Sequence, residues 1–399
     1  NEMSKIIAVN AGSSSLKFQL FNMPEETVIT SGNIERIGFE DAIFTIKVNG
    51  EKVKTVTSIP DHSVAVKMLL EALVKHQIVA SYDEIDACGH RVVQGGPYFS
   101  DSCIVDADSE AKVEELAELA PLHNPANLVG MRAFREALPH AKHVFVFDTA
   151  FHQTMDEERY LYALPYEYYT KYQVRRYGAH GTSHKYVSGR VIDLLGNPEH
   201  SKIIVCHLGN GASLSAVKDG QCIDTSMGFT PLAGVMMGTR SGDVDPSILP
   251  YVMRKENLNI DEMLNVLNKK SGMLGVSGIS SDSRDIEEAY EKGDPAALRT
   301  SHLYARIVSK FIGSYFVELG GVDAIAFTAG LGENAAYIRT LVIKDVEEAL
   351  GVHLDEDLNA VRSGDERVIS TADSKVKVMV IPTNEEVMIA RDTVRILGL

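Results

Sequence analysis

The stretch "IIAVNAGSSSLKFQLFN", residues 6–22, has a counterpart in "IIVCHLGNGASLSAVKDG", residues 203–220. Each begins with an apolar run, bends through small residues and leaves on an alternating run, which is the pattern of a β-hairpin. A turn of small residues leaves its backbone N–H groups open to a phosphate, because no bulky side chain blocks the approach. Two such hairpins, each near the start of an α/β half, predict a duplicated domain with phosphates held between the copies.

The rest of the chain interleaves strand-like and helical patterns. Further apolar runs of strand length are "AIFTIKV" (42–48), "HVFVFD" (143–148), "DAIAFTAG" (323–330) and "VKVMVIP" (376–382). Helical spacing of apolar residues runs through 63–76, 124–138, 294–319 and 384–397. This alternation predicts an α/β fold, and a length of 399 residues predicts two domains.

The charge of the chain narrows its partners. With 39 basic and 55 acidic side chains the net charge is −16, which disfavours nucleic acids and anionic membranes. Basic contacts to an anionic ligand must therefore be local. The four cysteines, Cys88, Cys103, Cys206 and Cys222, lack C-x-x-C spacing and are expected to be reduced thiols without a metal role. Without a bilayer-length apolar stretch or a signal peptide before Met3, we expect a cytoplasmic protein.

The stretch "AFTAGLGENAAYIRTLVIKDVEEAL", residues 326–350, predicts a strand, a Gly-rich turn and a helix. Gly330 and Gly332 match part of the dinucleotide pattern G-x-G-x-x-G, but no strand-end acid follows about 20 residues later. A nucleotide packing its ribose and base against Gly330, Gly332 and Asn334 is the favoured interpretation, and a turn without a ligand is the alternative. The P-loop, protein-kinase, serine-hydrolase and zincin motifs are absent from the sequence, which excludes those designs.

Two arginines lie among small residues. Arg91 belongs to "GHRVVQGG" (89–96), where it is expected just after a strand-like run, and Arg240 belongs to "VMMGTRSGDVDP" (235–246). An arginine is most often a solvated surface charge. Flanking glycines favour instead a guanidinium group that is exposed in a cleft, so both residues are candidates for binding an anion.

A histidine and an aspartate complete the candidates from the residues themselves. His180 lies in "RRYGAHGTSHKYV" (175–187), just before an expected helix cap at Thr182 or Ser183. Helix N-termini bind anions, which favours a functional over a structural histidine. Asp148 ends the strand-like run "HVFVFD". It could merely cap a turn, but polar residues at strand ends of α/β sheets are favoured site positions.

Ten blocks along the chain resemble the acetokinase family, a branch of the sugar-kinase, heat-shock-chaperone and actin superfamily. They are "VNAGSSSLKF", "GHRVVQGG", "PLHNP", "FDTAFH", "RRYGAHGTSH", "HLGNGASL", "GTRSGDVDP", "SSDSRD", "FTAGLGEN" and "PTNEE". The resemblance covers essentially the whole chain in order. It implies an α/β fold of two duplicated actin-like ATPase domains (ribonuclease H-like), with the active site in the interdomain cleft. The N-terminal domain would comprise 1–150 plus 384–399, and the nucleotide-binding and dimerisation domain 151–383.

The resemblance also implies roles, motif by motif. The implied catalytic residues are Arg91, Asp148, His180 and Arg240, of which the last two stabilise the transition state. The implied substrate contacts are Arg91, Val93, Leu122, His123 and Pro231. Asn10 and Glu385 match residues associated with Mg²⁺, for which Mn²⁺ can substitute. Lys17 matches a contact to the ATP phosphates, and the remaining ATP segments are His207, Leu208, Gly209, Asn210, Gly211, Asp282, Ser283, Arg284, Gly330, Leu331, Gly332, Glu333 and Asn334.

The implied activity is reversible, in-line phosphoryl transfer between ATP and acetate, usually by a homodimer. Gln94 and Ala179 depart from the family pattern, and Ala179 replaces a Phe that many relatives carry beside the substrate methyl group. Propionate or another short-chain acid is therefore the alternative substrate. A nucleotide-switched, chaperone-like ATPase and a pyrophosphate-dependent enzyme are further alternatives, since fold alone does not separate them. The paired arginines and His180 favour the acyl kinase, because an ATPase switch has no use for a carboxylate pocket.

Overall fold

The computed structural model of the chain describes residues 3–399. These residues divide into two units. Unit 1 contains the described residues up to Gln153 together with Asn384–Leu399, and unit 2 contains Thr154–Thr383. Within residues 3–399, no helix has both the length and the apolar character needed to cross a bilayer.

Unit 1 is built on one sheet. Its strands are β1 (Ser4–Ala11), β2 (Leu16–Met23), β3 (Thr27–Glu35), β4 (Ala42–Val48), β5 (Glu51–Thr57), β6 (Ala87–Val92), β7 (Cys103–Ile104) and β8 (Lys142–Phe147). Their spatial order is β5-β4-β3-β2-β1-β6-β8-β7. Strands β1 to β5 pair antiparallel, whereas β6 runs parallel to β1 and β8 parallel to β6. The carboxyl ends of β1, β6 and β8 therefore meet at one edge of the sheet.

Three helices of unit 1 precede its boundary with unit 2: α1 (His62–Lys75), α2 (Ala107–Glu115) and α3 (Asn124–Ala137). The Asp61 side chain caps α1 by accepting the N–H of Val64 at 2.9 Å. Apolar side chains of α1 and α3 pack with one face of the sheet, in a core that includes Leu20, Phe44 and Phe134. Each buried side chain of this size contributes about 1.5–3 kcal/mol of transfer free energy, which holds the two helices on that face.

Unit 2 contains a second sheet, with strands β9 (Lys202–Leu208), β10 (Ala212–Lys218), β11 (Gln221–Thr225), β12 (Ala324–Thr328), β13 (Arg367–Val368) and β14 (Lys377–Val380). Their order is β11-β10-β9-β12-β14-β13. The helices of unit 2 are α4 (Glu157–Tyr160), α5 (Tyr166–Tyr172), α6 (Gly181–Leu194), α7 (Ile248–Glu256), α8 (Ile260–Lys269), α9 (Gly272–Ser277), α10 (Ser283–Glu291), α11 (Pro295–Leu319), α12 (Ala329–Asn334), α13 (Ala336–Leu350) and α14 (Glu356–Ala360). Apolar side chains of α11 and α13 pack in the core of this unit.

The chain returns to unit 1 through α15 (Glu385–Leu397). The Asn384 side chain caps this helix by accepting the N–H of Val387 at 3.1 Å. The buried side of α15 packs against β1, β6 and β8. Gly89 of β6 permits the close approach, because a Cβ there would meet the Thr393 side chain and lie 2.7 Å from the Ile389 Cγ2 atom. Helix α15 and helix α3 thus cover opposite faces of the sheet.

The two sheets share one arrangement, and this confirms the predicted duplication. In unit 1 the order β3-β2-β1-β6-β8 places an antiparallel three-strand meander beside two parallel strands. In unit 2 the order β11-β10-β9-β12-β14 does the same. The two quoted stretches are the β1–β2 and β9–β10 hairpins at equivalent places. The other predicted strands and helices are also confirmed, with ends that shift by no more than two residues.

Three local predictions are wrong. The "GLGEN" stretch is not a turn but the short helix α12, because the buried Arg339 side chain donates to the carbonyl oxygens of Gly332 at 2.9 Å and Glu333 at 3.0 Å. Helix α6 begins at Gly181, so its N-cap is His180 rather than Thr182 or Ser183. Arg91 lies inside β6 rather than after it.

Candidate active site

The carboxyl ends of the parallel strands in unit 1 bring three of the candidate residues together. Asn10 lies near the end of β1, Arg91 near the end of β6, and Asp148 directly after β8. This edge of an α/β sheet is where ligands usually bind. Glu385, the first residue of α15, lies at the same edge, where its charge acts on Arg91.

Arg91 is held by a two-point ion pair. Its Nε donates to Asp148 Oδ1 at 2.9 Å, and its Nη2 donates to Oδ2 at 2.6 Å. The remaining Nη1 donates to Asn10 Oδ1 at 3.3 Å. The Asp148 side chain is 3% exposed and that of Arg91 28% exposed. The Asp148 carboxylate raises the pKa of Arg91, so the guanidinium group stays charged, with its plane fixed by the fork geometry.

Glu385 adds a second carboxyl group to this edge. Burial and the negative charge of Asp148 together raise the pKa of Glu385 to about 7, although Arg91 partly offsets both effects. Lys17 pairs with Asn10 in the β1–β2 register, and its side chain is exposed. A cavity of about 350 Å³ is lined by Asn10, Lys17, Arg91 and Glu385, among others. The cavity therefore combines carboxyl groups with cationic donors.

Helix α3 positions the segment that follows β6. Asn127 accepts the backbone N–H of Val93 at 3.1 Å and donates to the carbonyl of Ala11 at 2.9 Å. Asn124 accepts the N–H of Gln94 at 3.0 Å. Sequence reasoning missed the role of Asn127. The only signal for it was an amide side chain on a helix face that is otherwise apolar. Of the other predicted substrate contacts in unit 1, Leu122 is 79% exposed and His123 is exposed directly before α3.

In unit 2, His180 lies beside the turn of the second hairpin. Its backbone is left-handed, with φ of +57°, which is uncommon for a residue with a side chain. Its Nδ1 lies 2.8 Å from Ser213 Oγ, and its ring stacks on His207 with 4.1 Å between centroids. Burial lowers the pKa of His207 to about 4, so that ring is neutral at pH 7. These contacts fix the orientation of the His180 ring.

Arg240 points to the same turn. A Cβ at Gly211 would lie 3.3 Å from His180 Nε2 and 3.4 Å from Arg240 Nη1, so both side chains border this glycine. Arg240 Nη1 also lies 3.4 Å from the carbonyl oxygen of Pro231. Burial lowers the pKa of Arg240, and within the described part of the chain no carboxylate acts on it. A partly buried guanidinium group without a carboxylate is costly, which favours an anionic ligand here.

A second cavity, of about 600 Å³, collects the predicted nucleotide segments of unit 2. Among the predicted residues it is lined by Gly209, Asn210, Ser283, Arg284, Gly330, Leu331 and Asn334. Asp282 caps α10 and pairs with Arg284 at 2.8 Å, while Glu333 accepts the N–H of Thr383 at 3.3 Å. The predicted residues His207, Leu208, Gly211 and Gly332 are not among the residues that line this cavity. Sequence reasoning missed Gly238, Met273 and Arg362, which also line it.

Two α/β units of one topology, each with a small-residue hairpin turn at its candidate site, define a duplicated actin-like ATPase fold. The sequence model of the acetokinase family matches residues 5–391, and the chain belongs to that family. The chain is therefore a phosphotransferase of the kinase class.

Similar proteins support this assignment at high identity. The acetate kinase of Geobacillus sp. (strain WCH70) is 61% identical over 398 residues, a match that covers 100% of this chain and 100% of its own. The crystal structure of Porphyromonas gingivalis acetate kinase has a TM-score of 0.95 at 47% identity and covers 99% of this chain and 100% of its own. That of a propionate kinase from Francisella tularensis has a TM-score of 0.92 at 42% identity and covers 98% of this chain and 100% of its own.

Proposed function

We propose that the chain catalyses the reversible transfer of the γ-phosphoryl group of ATP to acetate, giving ADP and acetyl phosphate. The observation that carries this proposal is Arg240, a partly buried guanidinium group without a carboxylate partner, which borders the same glycine as His180. Phosphoryl transfer depends on cations that stabilise the equatorial oxygens of the transferred group. Arg240 and His180 supply that role in unit 2, and Lys17 and Arg91 supply it in unit 1.

The carboxylate of acetate needs no general base, because it is already ionised at neutral pH. Both oxygens of Asp148 accept hydrogen bonds from Arg91, so Asp148 orients the guanidinium group rather than removing a proton. Arg91 then presents its Nη1 edge, beside Asn10, to the carboxylate of the acceptor. In this mechanism Asp148 acts through Arg91, and Arg91 contacts the substrate.

The acidic edge of unit 1 fits a divalent cation. Asn10 and the carboxyl groups of Glu385 and Asp148 offer the oxygen ligands that Mg²⁺ and Mn²⁺ prefer. The raised pKa of Glu385, near 7, reflects burial next to another carboxylate, and a cation would relieve that repulsion. We propose Asn10 and Glu385 as the residues that hold Mg²⁺, with Asp148 beside them. When bound, Mg²⁺ would neutralise charge on the ATP phosphates.

The proposed nucleotide site is the 600 Å³ cavity of unit 2, where "HLGNG", "DSR" and "GLGEN" contribute lining residues. An adenine and ribose fit a cavity with glycine backbone on its walls, because main-chain atoms can approach the rings closely. A homodimer and a cytoplasmic location are also proposed, from the family resemblance and the composition.

Propionate is the second candidate substrate, because a propionate kinase is a structural neighbour at 42% identity. Val93 is partly buried after β6 and would narrow an acyl pocket. Ala179 does not offer free space, since it is 5% exposed and packs in the core of unit 2. One methylene is worth only about 1–3 kcal/mol, so discrimination between the two acids is modest.

Acyl phosphate formation from ATP and Mg²⁺ with acetate, propionate and butyrate tests the proposal. We expect acetate to be best, with kcat/KM for propionate lower by roughly ten- to a hundredfold, and Val93→Ala to raise propionate use. Arg240→Ala should lower kcat/KM by at least about a hundredfold, whereas Arg254→Ala, an exposed arginine on α7, should not. A kcat/KM for propionate equal to or above that for acetate would move the assignment to the second candidate substrate, propionate. ATP hydrolysis without any acyl phosphate would favour a nucleotide switch.

A further inference from the structure

One face of the antiparallel meander in unit 1 carries a row of lysines. Lys17 lies on β2, Lys47 on β4, and Lys52 and Lys54 on β5, and all four side chains are exposed. The register pairs Lys17 with Asn33, Asn33 with Thr45 and Thr45 with Lys54. Lys47 lies two residues after Thr45 and pairs directly with Lys52, so the four lysines share one face, here called the lysine face.

The lysine face is open and polar, unlike the opposite face. Ile46 and Phe44 of β4 point into the core under α1. On the lysine side, Gln19, Ser31 and Asn33 add hydrogen-bonding side chains, and the 350 Å³ cavity extends along them from Lys17 to Lys47 and Lys52. The carboxylates in the cavity lining are Glu385 and Glu386, which come from α15 at the end nearest Asn10. The cavity is therefore acidic at one end and basic along its length.

The cationic charge of the lysine face is not neutralised. Glu35 of β3 shares this face, but Lys17, Lys47, Lys52 and Lys54 form no ion pair with it or with any other carboxylate within residues 3–399. Lys47 and Lys52 are direct cross-strand neighbours, an arrangement of like charges that destabilises a sheet. A row of uncompensated lysines beside hydrogen-bonding side chains, in a chain of net charge −16, is a local site for an anion.

The spacing of the lysines indicates which kind of anion fits this face. Lys17 and Lys54 are three strands apart, which is about 14 Å between their backbones. A single phosphate or carboxylate can contact only one end of such a row. A short chain of phosphates carries charge along its length, and lysine ammonium groups are suitable point donors to phosphate oxygens.

We propose that the lysine face binds an inorganic oligophosphate, with one end at Lys17 and the other at Lys47 and Lys52. This goes beyond the proposed phosphoryl transfer, because it concerns a second ligand. Since Lys17 is also the proposed contact to the ATP phosphates, an oligophosphate bound here competes with the nucleotide.

Calorimetric titration of the full chain with tripolyphosphate, without Mg²⁺ and at low ionic strength, tests the proposal. The variant is Lys47→Gln/Lys52→Gln. The matched control, Lys67→Gln/Lys75→Gln, removes the same charge from α1 on the opposite face, where both lysines are exposed. Wild type and control should bind equally, and the variant should bind at least about tenfold more weakly, as expected for lost charge-assisted hydrogen bonds. Added salt should weaken binding.

Kinetics provide the second readout. With Mg²⁺ in excess, tripolyphosphate should raise the KM for ATP in wild type and control but much less in Lys47→Gln/Lys52→Gln, with each protein compared with its own KM measured without tripolyphosphate. Equal binding by both double variants, or no binding by wild type, overturns the proposal. Tighter binding of citrate than of tripolyphosphate also overturns it, in favour of a polycarboxylate. None of these failures affects acyl phosphate formation, which is measured without tripolyphosphate.

Discussion

At the scale of single residues, the ion pair between Arg91 and Asp148 determines what a substitution does. Asp148 is almost fully buried, so Arg91→Ala leaves a buried carboxylate without its partner. We expect kcat/KM to fall by at least about a hundredfold and the free energy of unfolding to fall by about 2 kcal/mol or more. The glycines near Arg91 in the sequence suggest an arginine outside the core, whose loss would leave the fold intact. The ion pair with the buried Asp148 argues against that suggestion.

The control for Arg91 is Arg36, whose Nε and Nη2 donate to Asp41 Oδ1 at 3.1 and 2.9 Å. The side chains of this pair are 49% and 65% exposed. Arg36→Ala should therefore cost less than about 1 kcal/mol and leave kcat/KM unchanged. Equal losses of stability in the two variants, measured by denaturant unfolding, would show that burial of Asp148 is not the cause.

At the scale of secondary-structure elements, β6 and β8 share a buried histidine pair that makes stability depend on pH. His90 Nε2 lies 2.9 Å from His143 Nδ1, and the Cys88 thiol lies within 4.8 Å of this pair. Burial lowers the pKa of His90 well below its usual range and that of His143 to about 4. Both rings are therefore neutral in the folded protein at pH 7.

The sign of the pH dependence follows from proton uptake. Between pH 6.5 and about 4 each of these two histidines binds more protons in the unfolded chain than in the folded one, so the stability that the pair contributes is complete above pH 6.5 and declines as the pH falls. We expect a loss on the order of 2–3 kcal/mol from His143 by pH 4. Denaturant unfolding at a series of pH values measures it. His143→Gln should remove its part of this dependence and lose less stability than wild type between pH 6.5 and 4, whereas His200→Gln, at an exposed position, should behave like wild type. Equal losses in wild type and His143→Gln would contradict the prediction.

The contact between β6 and α15 gives another prediction at this scale. Gly89→Ala places a methyl group against Ile389 and Thr393, which should push α15 away and cost about 1–3 kcal/mol. Gly189 of α6 has open space at its Cβ position, so Gly189→Ala should instead stabilise the chain by about 0.5–1 kcal/mol. Thermal unfolding of both variants compares them. Destabilisation by both, or by neither, would mean that α15 does not press on Gly89.

At the scale of the whole molecule, unit 1 is discontinuous in sequence. Ser102 Oγ donates to Asp392 of α15 at 2.8 Å, and Arg391 pairs with Glu26 at 2.7 Å. Residues 3–153 made alone should therefore fail to unfold cooperatively, whereas the same residues joined to 384–399 by a flexible linker should fold. Circular dichroism measured during heating distinguishes the two fragments. Cooperative unfolding of the shorter fragment would show that α15 is dispensable.

Much of this fold is predictable from local pattern. The hairpins follow from alternation around small-residue turns, and their register places Lys17 opposite Asn10. Helix α15 is visible as a stripe of apolar residues. Its position on the sheet of unit 1 is not visible in that stripe, because packing depends on Gly89, almost three hundred residues earlier in the chain.

The site is predictable only in part, for the same reason. Arg91 and Asp148 are each conspicuous in sequence, but their ion pair depends on the parallel register of β6 and β8. Asn127 is less visible still. An amide inside a helix has no local signal that its partners are the backbones of Val93 and Ala11, which only the packing of α3 brings close. Long-range register therefore limits what sequence reasoning can find here.

The position of α15 in the chain has a consequence for biosynthesis. A ribosome releases residues from the amino end onwards, so all of unit 2 emerges before the helix that covers β1, β6 and β8. During translation the nascent first unit exposes the sheet face around Gly89 that α15 later buries. Unit 2, which is continuous, can form its core in that interval. Unit 1 is thus the first to emerge from the ribosome but the second to be completed. Until α15 covers them, its strands are where chaperones that bind nascent chains would be needed.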